Sequence, residues 1–374
     1  MTTKKHLFCG ISVATAATLA SISTHVRAQS SVTPYGEIDT GLAYVSNVGG
    51  HARYQTTAGL VDGSYWGLRG SEDLGGGTRA IFQLERGFSM TTGEGVNDHP
   101  YYVGLEDGAW GTVTLGHQYD SLYDYVAPFT LTGGPGGTAF AHPFDNDNAN
   151  NSYLVRNSVK YASAEFGGFR FGGMYGLSND AGRFANNRAY SMGASYRNGP
   201  FSAGAAYLHA DGRGNTANGA YDSVTLPGRN GGVFDAKARA QDTYGVGASY
   251  AFGDVTLGVA WSRSRYSGVM QADADADAGE AMPSASFSNH EINGVVELTP
   301  AVWLAGMYTY THGTHAHWHE GALQAGYRFS KRTDMYVATA YQRAGGNATA
   351  MIGGLEPSGS GNQLLIAVGM RHRF

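Results

Sequence analysis

Apolar and small polar residues alternate with a period of two in many separate stretches of the chain. Between residues 363 and 374 one face carries Leu364, Ile366, Val368, Met370, His372 and Phe374, and the other Gln363, Leu365, Ala367, Gly369, Arg371 and Arg373. Phe201, Ala203, Ala205 and Tyr207 alternate with Ser202, Gly204 and Ala206. Tyr244, Val246, Ala248, Tyr250 and Phe252 alternate with Thr243, Gly245, Gly247 and Ser249, and the pattern returns in 255–262 and 323–329. A period of two predicts β-strands, whose successive side chains point to opposite faces. The polar face is mostly Gly, Ser, Thr and Gln, while the apolar face often ends in Tyr, Phe or Trp. A soluble sandwich would bury its apolar face against a second sheet. Small polar residues opposite an apolar face flanked by aromatics fit a transmembrane barrel, with lipid outside, a wet lumen inside and aromatic girdles at the interfaces. Lipid offers no hydrogen bonds to the backbone, so such a sheet has to close on itself.

The connections alternate between short and long. Short turns are predicted at 74–77, 107–111, 165–168, 197–200, 252–254, 299–301 and 330–333. Longer polar segments fall at 47–62, 91–99, 119–153, 178–188, 211–240, 266–286, 313–317 and 344–362. Together they predict about 16 antiparallel strands, the even number needed when both ends lie on the periplasmic side. A barrel of that size encloses an aqueous channel.

The start of the chain reads differently. Lys4, Lys5 and His6 precede an apolar and small-residue run over 7–22, and Val26-Arg27-Ala28 follows. This is the pattern of a secretory signal peptide over residues 1–28, cut between Ala28 and Gln29, with the barrel as the domain 29–374. Cys9, the only cysteine, falls in the removed part, so disulfides and cysteine–zinc chemistry are excluded from the mature chain. Removal of Lys4, Lys5 and Arg27 leaves 22 of the 25 basic residues against 30 acidic ones, a net charge of −8 with histidine neutral. That balance argues against a nucleic-acid partner. Glycine numbers 56 and tyrosine 24, spread along the whole chain, and no apolar run after residue 28 is long enough for a transmembrane helix.

Several motifs carry a resemblance. They are Ser31-Val32-Thr33-Pro34-Tyr35-Gly36 with Asp39, then Trp66-Gly67-Leu68-Arg69-Gly70-Ser71-Glu72-Asp73-Leu74-Gly75-Gly76-Gly77 running into Ala80-Ile81-Phe82-Gln83-Leu84-Glu85. Val103-Gly104-Leu105, Gly111-Thr112-Val113-Thr114-Leu115-Gly116, Asn157-Ser158-Val159-Lys160-Tyr161 and the terminal Phe374 continue it. Across the mature chain these residues resemble the general trimeric porins of Gram-negative bacteria, in the branch common among betaproteobacteria. The resemblance implies passive diffusion of ions and small hydrophilic solutes through an outer-membrane channel without a cofactor. It also implies a homotrimer set in outer-membrane lipid and lipopolysaccharide, barrel insertion read from Phe374, and a long third loop folded into the lumen.

That loop is the segment 119–153. Its Asp120, Asp124, Asp145 and Asp147 are expected to form an acidic rim opposite a basic wall, a transverse field at the constriction. Arg69, Arg156 and Lys160 are the wall's basic residues, the last two placed on the lumen face of the sixth strand by alternation. Members of the resembled family often carry further arginines where this chain has Tyr65, the His99-Pro100 region, Leu154 and His117. With the wall thinned, weak cation preference or near neutrality is expected at neutral pH. Tyr65, His99 and His117 become lumen-lining candidates, and a histidine facing the lumen would add positive charge in acid.

Other features have plainer readings. His312, His315, His317 and His319 read as a polar surface segment, with a transition-metal site at His315, His317 and His319 as the alternative. Asp273, Asp275 and Asp277 lack the glycine and glutamate of a calcium loop and read as a solvated acidic loop. Asp145-Asn146-Asp147-Asn148 reads as a hydrogen-bonded turn, and Tyr119, Tyr123 and Tyr125 as packing residues, with sugar stacking as the alternative. A sugar-selective channel of the same fold is the nearest rival function. A barrel enzyme is more remote, because the mature chain lacks a Gly-x-Ser-x-Gly nucleophile elbow.

Overall fold

The computed structural model describes residues 31–96, 99–216, 218–227, 233–271, 283–346 and 348–374. The acidic run at Asp273, Asp275 and Asp277 and the signal-like segment lie outside them. The sheet is a closed antiparallel barrel of 16 strands. In chain order these are β1 (Ser31–Val48), β2 in two pieces (His51–Ala58 and Tyr65–Gly75), β3 (Thr78–Phe88), β4 (Tyr101–Asp107), β5 (Gly111–Gln118), β6 (Val155–Ala162), β7 (Phe169–Gly176) and β8 (Arg188–Asn198). The second half comprises β9 (Phe201–Arg213, with Val224–Pro227 beyond it), β10 (Val233–Phe252), β11 (Val255–Gln271), β12 (Ser284–Glu297), β13 (Val302–Gly313), β14 (Ala316–Arg328), β15 (Thr333–Gly346) and β16 (Asn362–Arg373). Each strand pairs with its sequence neighbours, and β1 pairs with β16 from Glu37↔Arg373 to Val45↔Leu365.

The alternation read from the chain survives in the burial. On β16, Ile366, Val368 and Met370 are exposed on the outer face, while Gln363, Leu365 and Ala367 are buried on the inner face. The exposed apolar side chains of the other strands, among them Leu257, Ile292, Leu304, Leu323 and Val337, continue this outer surface. On the inner face Trp303, Tyr336 and Leu365 pack with Leu131, Phe140 and Ile352 from the long connections.

The seam between β1 and β16 extends to Phe374. The Phe374 N–H donates to the Gly36 carbonyl at 3.0 Å, and the Gly36 N–H donates to the Phe374 carbonyl at 3.2 Å. The Phe374 ring covers Gly36 so closely that a Cβ there would lie 2.4 Å from the ring. Gly36→Val is therefore expected to displace the ring and destabilise the barrel by about 1–3 kcal/mol, as overpacking does. Heat-modifiability on gels checks this: the variant should unfold at a lower temperature than the parent.

Four of the long connections are shorter than the chain suggests. The segment 47–62 is largely a hairpin, turning at Gly49-Gly50 into His51–Ala58. Strands continue to Arg213 and resume at Val233, and they reach Gln271 and resume at Ser284. The segment 313–317 is a tight turn around Thr314 and His315, the latter at φ +60°. The reason is common to all four. Beyond the apolar band a strand needs no apolar face, so polar residues keep pairing there and polarity no longer marks a loop.

Candidate functional site

The connection 119–153 is seated on glycines. A short helix, α1 (Ser121–Tyr125), begins it. The Asp120 carboxylate caps this helix, accepting the Leu122 N–H at 2.7 Å and the Tyr123 N–H at 3.2 Å. Tyr125 and Phe129 then press on the inner face where strands β7 to β10 offer no side chain. A Cβ at Gly193 would lie 2.4 Å from the Tyr125 ring, one at Gly204 2.0 Å from its carbonyl oxygen, and one at Gly247 2.4 Å from the Phe129 Cβ. The inner-face glycines are thus a socket for this loop. Gly204→Val is expected to push Tyr125 off the wall, and single-channel recordings should show larger, noisier currents than the parent's.

A buried polar network ties down the loop's other half. His142 is 1% exposed; its Nδ1 lies 2.7 Å from Asp147 Oδ2 and its Nε2 3.0 Å from Glu291 Oε2 on β12. Glu291 Oε1 also accepts the Leu131 N–H at 2.7 Å. Ser262 donates to Asp147, and Asn289 Nδ2 donates to Ser262 Oγ at 2.8 Å. Burial alone would lower the His142 pKa, but the Asp147 and Glu291 carboxylates outweigh it and hold it well above the usual histidine range. The imidazolium in turn keeps Asp147 below the ordinary carboxylate value despite its burial. Asp145 is pushed up to about 6 by burial and then by Asp147, against the N–H groups of Asn150 and Ser152 that it accepts.

Between the loop and the first strands lies a cavity of about 910 Å³. Asp62, Tyr65, Gln83, Glu85 and His99 line it from the wall, and Tyr119, Tyr123, Asn150 and Ser152 from the loop. Glu85 accepts from Tyr35 and lies 3.1 Å from His99 Nδ1, while the Tyr65 ring stands 4.7 Å from the His99 ring. Behind Asp62 is a charge cluster. Arg371 Nη1 lies 2.5 Å from Asp62 Oδ2, and Arg371 Nε lies 3.3 Å from Asp334 and 3.8 Å from Glu37. Arg373 reaches Glu37 at 2.8 Å and Asp334 at 3.2 Å.

The structure scatters the residues singled out from the chain. Lys160 Nζ lies 2.5 Å from Asp124 Oδ2 and donates to the Tyr119 carbonyl at 2.9 Å, so these two opposite charges do meet. Arg69 lies over the Tyr35 ring at 4.9 Å. Arg156 leaves the face of Lys160: Asn157 has φ +52° and the register slips between Ser158 and Val155, so a bulge reverses the alternation and Arg156 binds Asp222. Tyr65 and His99 line the cavity, whereas His117 pairs across to Tyr101 on the outer face and stacks on its ring. Asp120, Asp145 and Asp147 are buried in contacts within the loop and, for Asp120 and Asp147, with Tyr221, Ser262 and Asn289 beyond it, instead of forming a water-facing rim. Besides capping α1, Asp120 accepts from Asn148 and Tyr221, and its burial raises its pKa.

The remaining candidates also find places. The residues 145–148 form a hydrogen-bonded turn with positive φ at Asp145 and Asn148. Tyr119 and Tyr123, rings 4.4 Å apart, face the cavity, while Tyr125 packs. His315 sits in its turn, and His317 and His319 point outward. No cluster of three or more histidine, cysteine, aspartate or glutamate residues suited to a metal occurs among the described residues. Arg371 and Arg373 were not among the wall residues expected from the chain, although alternation in the terminal strand already placed them on the face away from Phe374.

A model of the Gram-negative porin family matches residues 14–347. An outer membrane porin protein of Bordetella pertussis is 32% identical over 279 residues, covering 67% of this chain and 68% of the relative. The major outer membrane protein P.IB of Neisseria meningitidis is 30% identical over 300 residues, covering 71% of this chain and 83% of its own length. Among solved structures, an anion-selective porin from Comamonas acidovorans shares the fold with a TM-score of 0.74 at 23% identity, over 92% of this chain and 100% of that one. A closed 16-stranded barrel with a charge-lined cavity, matched along most of its length, makes this chain a member of the Gram-negative porin family of the outer membrane.

Proposed function

We propose that the protein is a general diffusion pore, near neutral or weakly cation-preferring, whose third connection, 119–153, lies in the lumen and narrows it. The observation that carries the selectivity is the mixed charge beside the cavity. Four carboxylates, Glu37, Asp62, Asp334 and Glu85, stand there with two guanidiniums, Arg371 and Arg373, so positive charge does not dominate and the balance leans acidic. Pairing of opposite charges leaves a transverse field with a modest acidic excess, which orders dipolar solutes and favours cations weakly. Asp124 and Lys160 are the pair on the loop side of the same constriction, and Arg69 lies on the wall beneath it. Reversal potentials in planar bilayers under a tenfold KCl gradient test this. Values near zero or slightly cation-selective at pH 7.5 support it, and strong anion selectivity overturns it.

A second reading, a sugar-preferring channel, is favoured by the Tyr119–Tyr123 pair at the cavity. Liposome swelling with sugars of graded size separates the two. Rates that follow size alone belong to a general pore, and a sugar admitted out of size order belongs to a selective one. Export with loss of residues 1–28, insertion read from Phe374, and a homotrimer set in lipid and lipopolysaccharide complete the proposal. The trimer should run as a heat-labile high-mass band in mild detergent, and a monomer band alone would refute it.

A further inference from the structure

We propose that Arg213 holds a small monovalent anion, of the size of chloride, in a closed site at the root of the connection 119–153. The site lies apart from the cavity that carries the selectivity and adds a ligand to the anchorage of that connection.

Among the described residues Arg213 and Arg371 are the buried arginines, 1% and 9% exposed. Arg371 is met by Asp62 and Asp334. Arg213, the last residue of β9, has no carboxylate partner among the described residues. Arg183, Arg197, Arg239 and Arg332 have none either, but they stand exposed and water solvates them. Arg213 has neither water nor a counter-charge, which makes its ionised form costly in the folded protein unless something negative comes to it.

The guanidinium shows where that would be. Its Nη1 donates to Gln241 Oε1 at 2.6 Å. Its Nε and Nη2 are buried and have no acceptor in the protein. These two nitrogens share one edge of the planar group, the edge that grips an anion with two side-by-side N–H bonds. The Tyr153 and Tyr221 rings lie against the group, their centroids 4.2 and 4.7 Å from Cζ. Aromatic faces attract the cation but offer no acceptor in the plane of the fork.

The surroundings are fixed and tight, which sets the size of the ligand. The Tyr153 hydroxyl accepts the Thr225 N–H at 3.3 Å, and the Tyr153 N–H donates to Asn148 Oδ1 at 3.0 Å. The Tyr221 N–H donates to Asn187 Oδ1 at 3.1 Å, and its hydroxyl to Asp120 Oδ2 at 2.8 Å. Gln241 is 2% exposed and bonds onward to Thr243 and Tyr266. Such a site admits a halide and excludes a bulky organic anion, and one negative charge balances the one positive charge. Tyr153 stands at one end of the connection and Asp120 at the other, so the anion sits where both ends are tied together.

Two measurements on the intact, detergent-purified protein test this. Crystals of the parent grown from sodium bromide should show anomalous density beside Nε and Nη2 of Arg213. Water there, with no bromide, overturns the proposal. The thermal transition followed by circular dichroism should rise by about 3 °C or more between sodium gluconate and sodium chloride at a common ~0.1 M, as it does when a ligand binds the folded state alone. R213Q should lose most of that rise, whatever its own stability. Equal transitions of the parent in the two salts overturn the proposal. A rise in R213Q as large as the parent's marks a general salt effect and overturns it too. Should R213Q fail to fold, the bromide density in the parent decides alone. Neither measurement depends on which ions the pore prefers.

Discussion

Replacing His142 by alanine is expected to have the largest effect on the anchoring of the third connection, destabilising it by about 3–5 kcal/mol, the usual consequence of removing one partner from a buried ion pair. Asp147 and Glu291 would keep their charge in a dry site with their cation gone. The readouts are the thermal transition followed by circular dichroism and the current noise of single channels; a lower transition and frequent flickering are expected. Unchanged values in both would show that the glycine socket alone holds the loop.

The pH dependence follows from the same group. The folded-state pKa of His142 is raised, so its contribution is fully present below ~6.5, the ordinary histidine value. It is lost as pH rises through the raised one. Asp147 is lowered, so its share is present above the ordinary carboxylate value and lost in strong acid. Asp145, raised to about 6, works the other way: its ionisation above that pH opposes the folded loop. The parent should therefore loosen on the alkaline side, and His142→Ala should lack that limb when stability and noise are followed from pH 6 to 10.

Arg371→Gln is expected to turn the pore clearly cation-selective. The arginine stands among Asp62, Asp334 and Glu37, and its loss leaves three carboxylates with Arg373 alone. At an effective dielectric constant of ~20 a unit charge ~10 Å away acts by roughly 1.7 kcal/mol, about a tenfold change in relative ion occupancy. The potassium-to-chloride permeability ratio should rise several-fold in 0.1 M salt. It should fall back towards the parent's in 1 M, where screening acts over ~3 Å. Arg371→Lys should restore the parent ratio. A Gln variant with unchanged selectivity would place the controlling charges elsewhere.

The strand order and the two faces could be read from the chain because a lipid-facing strand has to alternate. The four overlong connections could not, because strands above the membrane are free of that demand. The acidic loop misled for a different reason. Asp120 and Asp147 look like solvated charges in a polar segment, yet their partners Tyr221, Ser262 and Asn289 lie on elements far along the chain. Arg156 was misplaced by one residue of bulge at Asn157, which no periodicity reveals. Arg371 and Arg373 of β16 were missed as wall charges although alternation had placed them on the inner face, and only the structure shows the carboxylates around them.

The seam between β1 and β16 also sets the order of assembly. Arg373 pairs with Glu37 across 336 positions of chain, so the first strand waits for its second neighbour until synthesis is nearly finished. Until then two strand edges with unsatisfied backbone groups remain open, which favours pairing with other chains. Contacts of such long range are also the slowest to form. The other strand pairs join sequence neighbours and do not face this delay. Closure of the seam is therefore a late event, one that joins the two edges of an already extensive sheet.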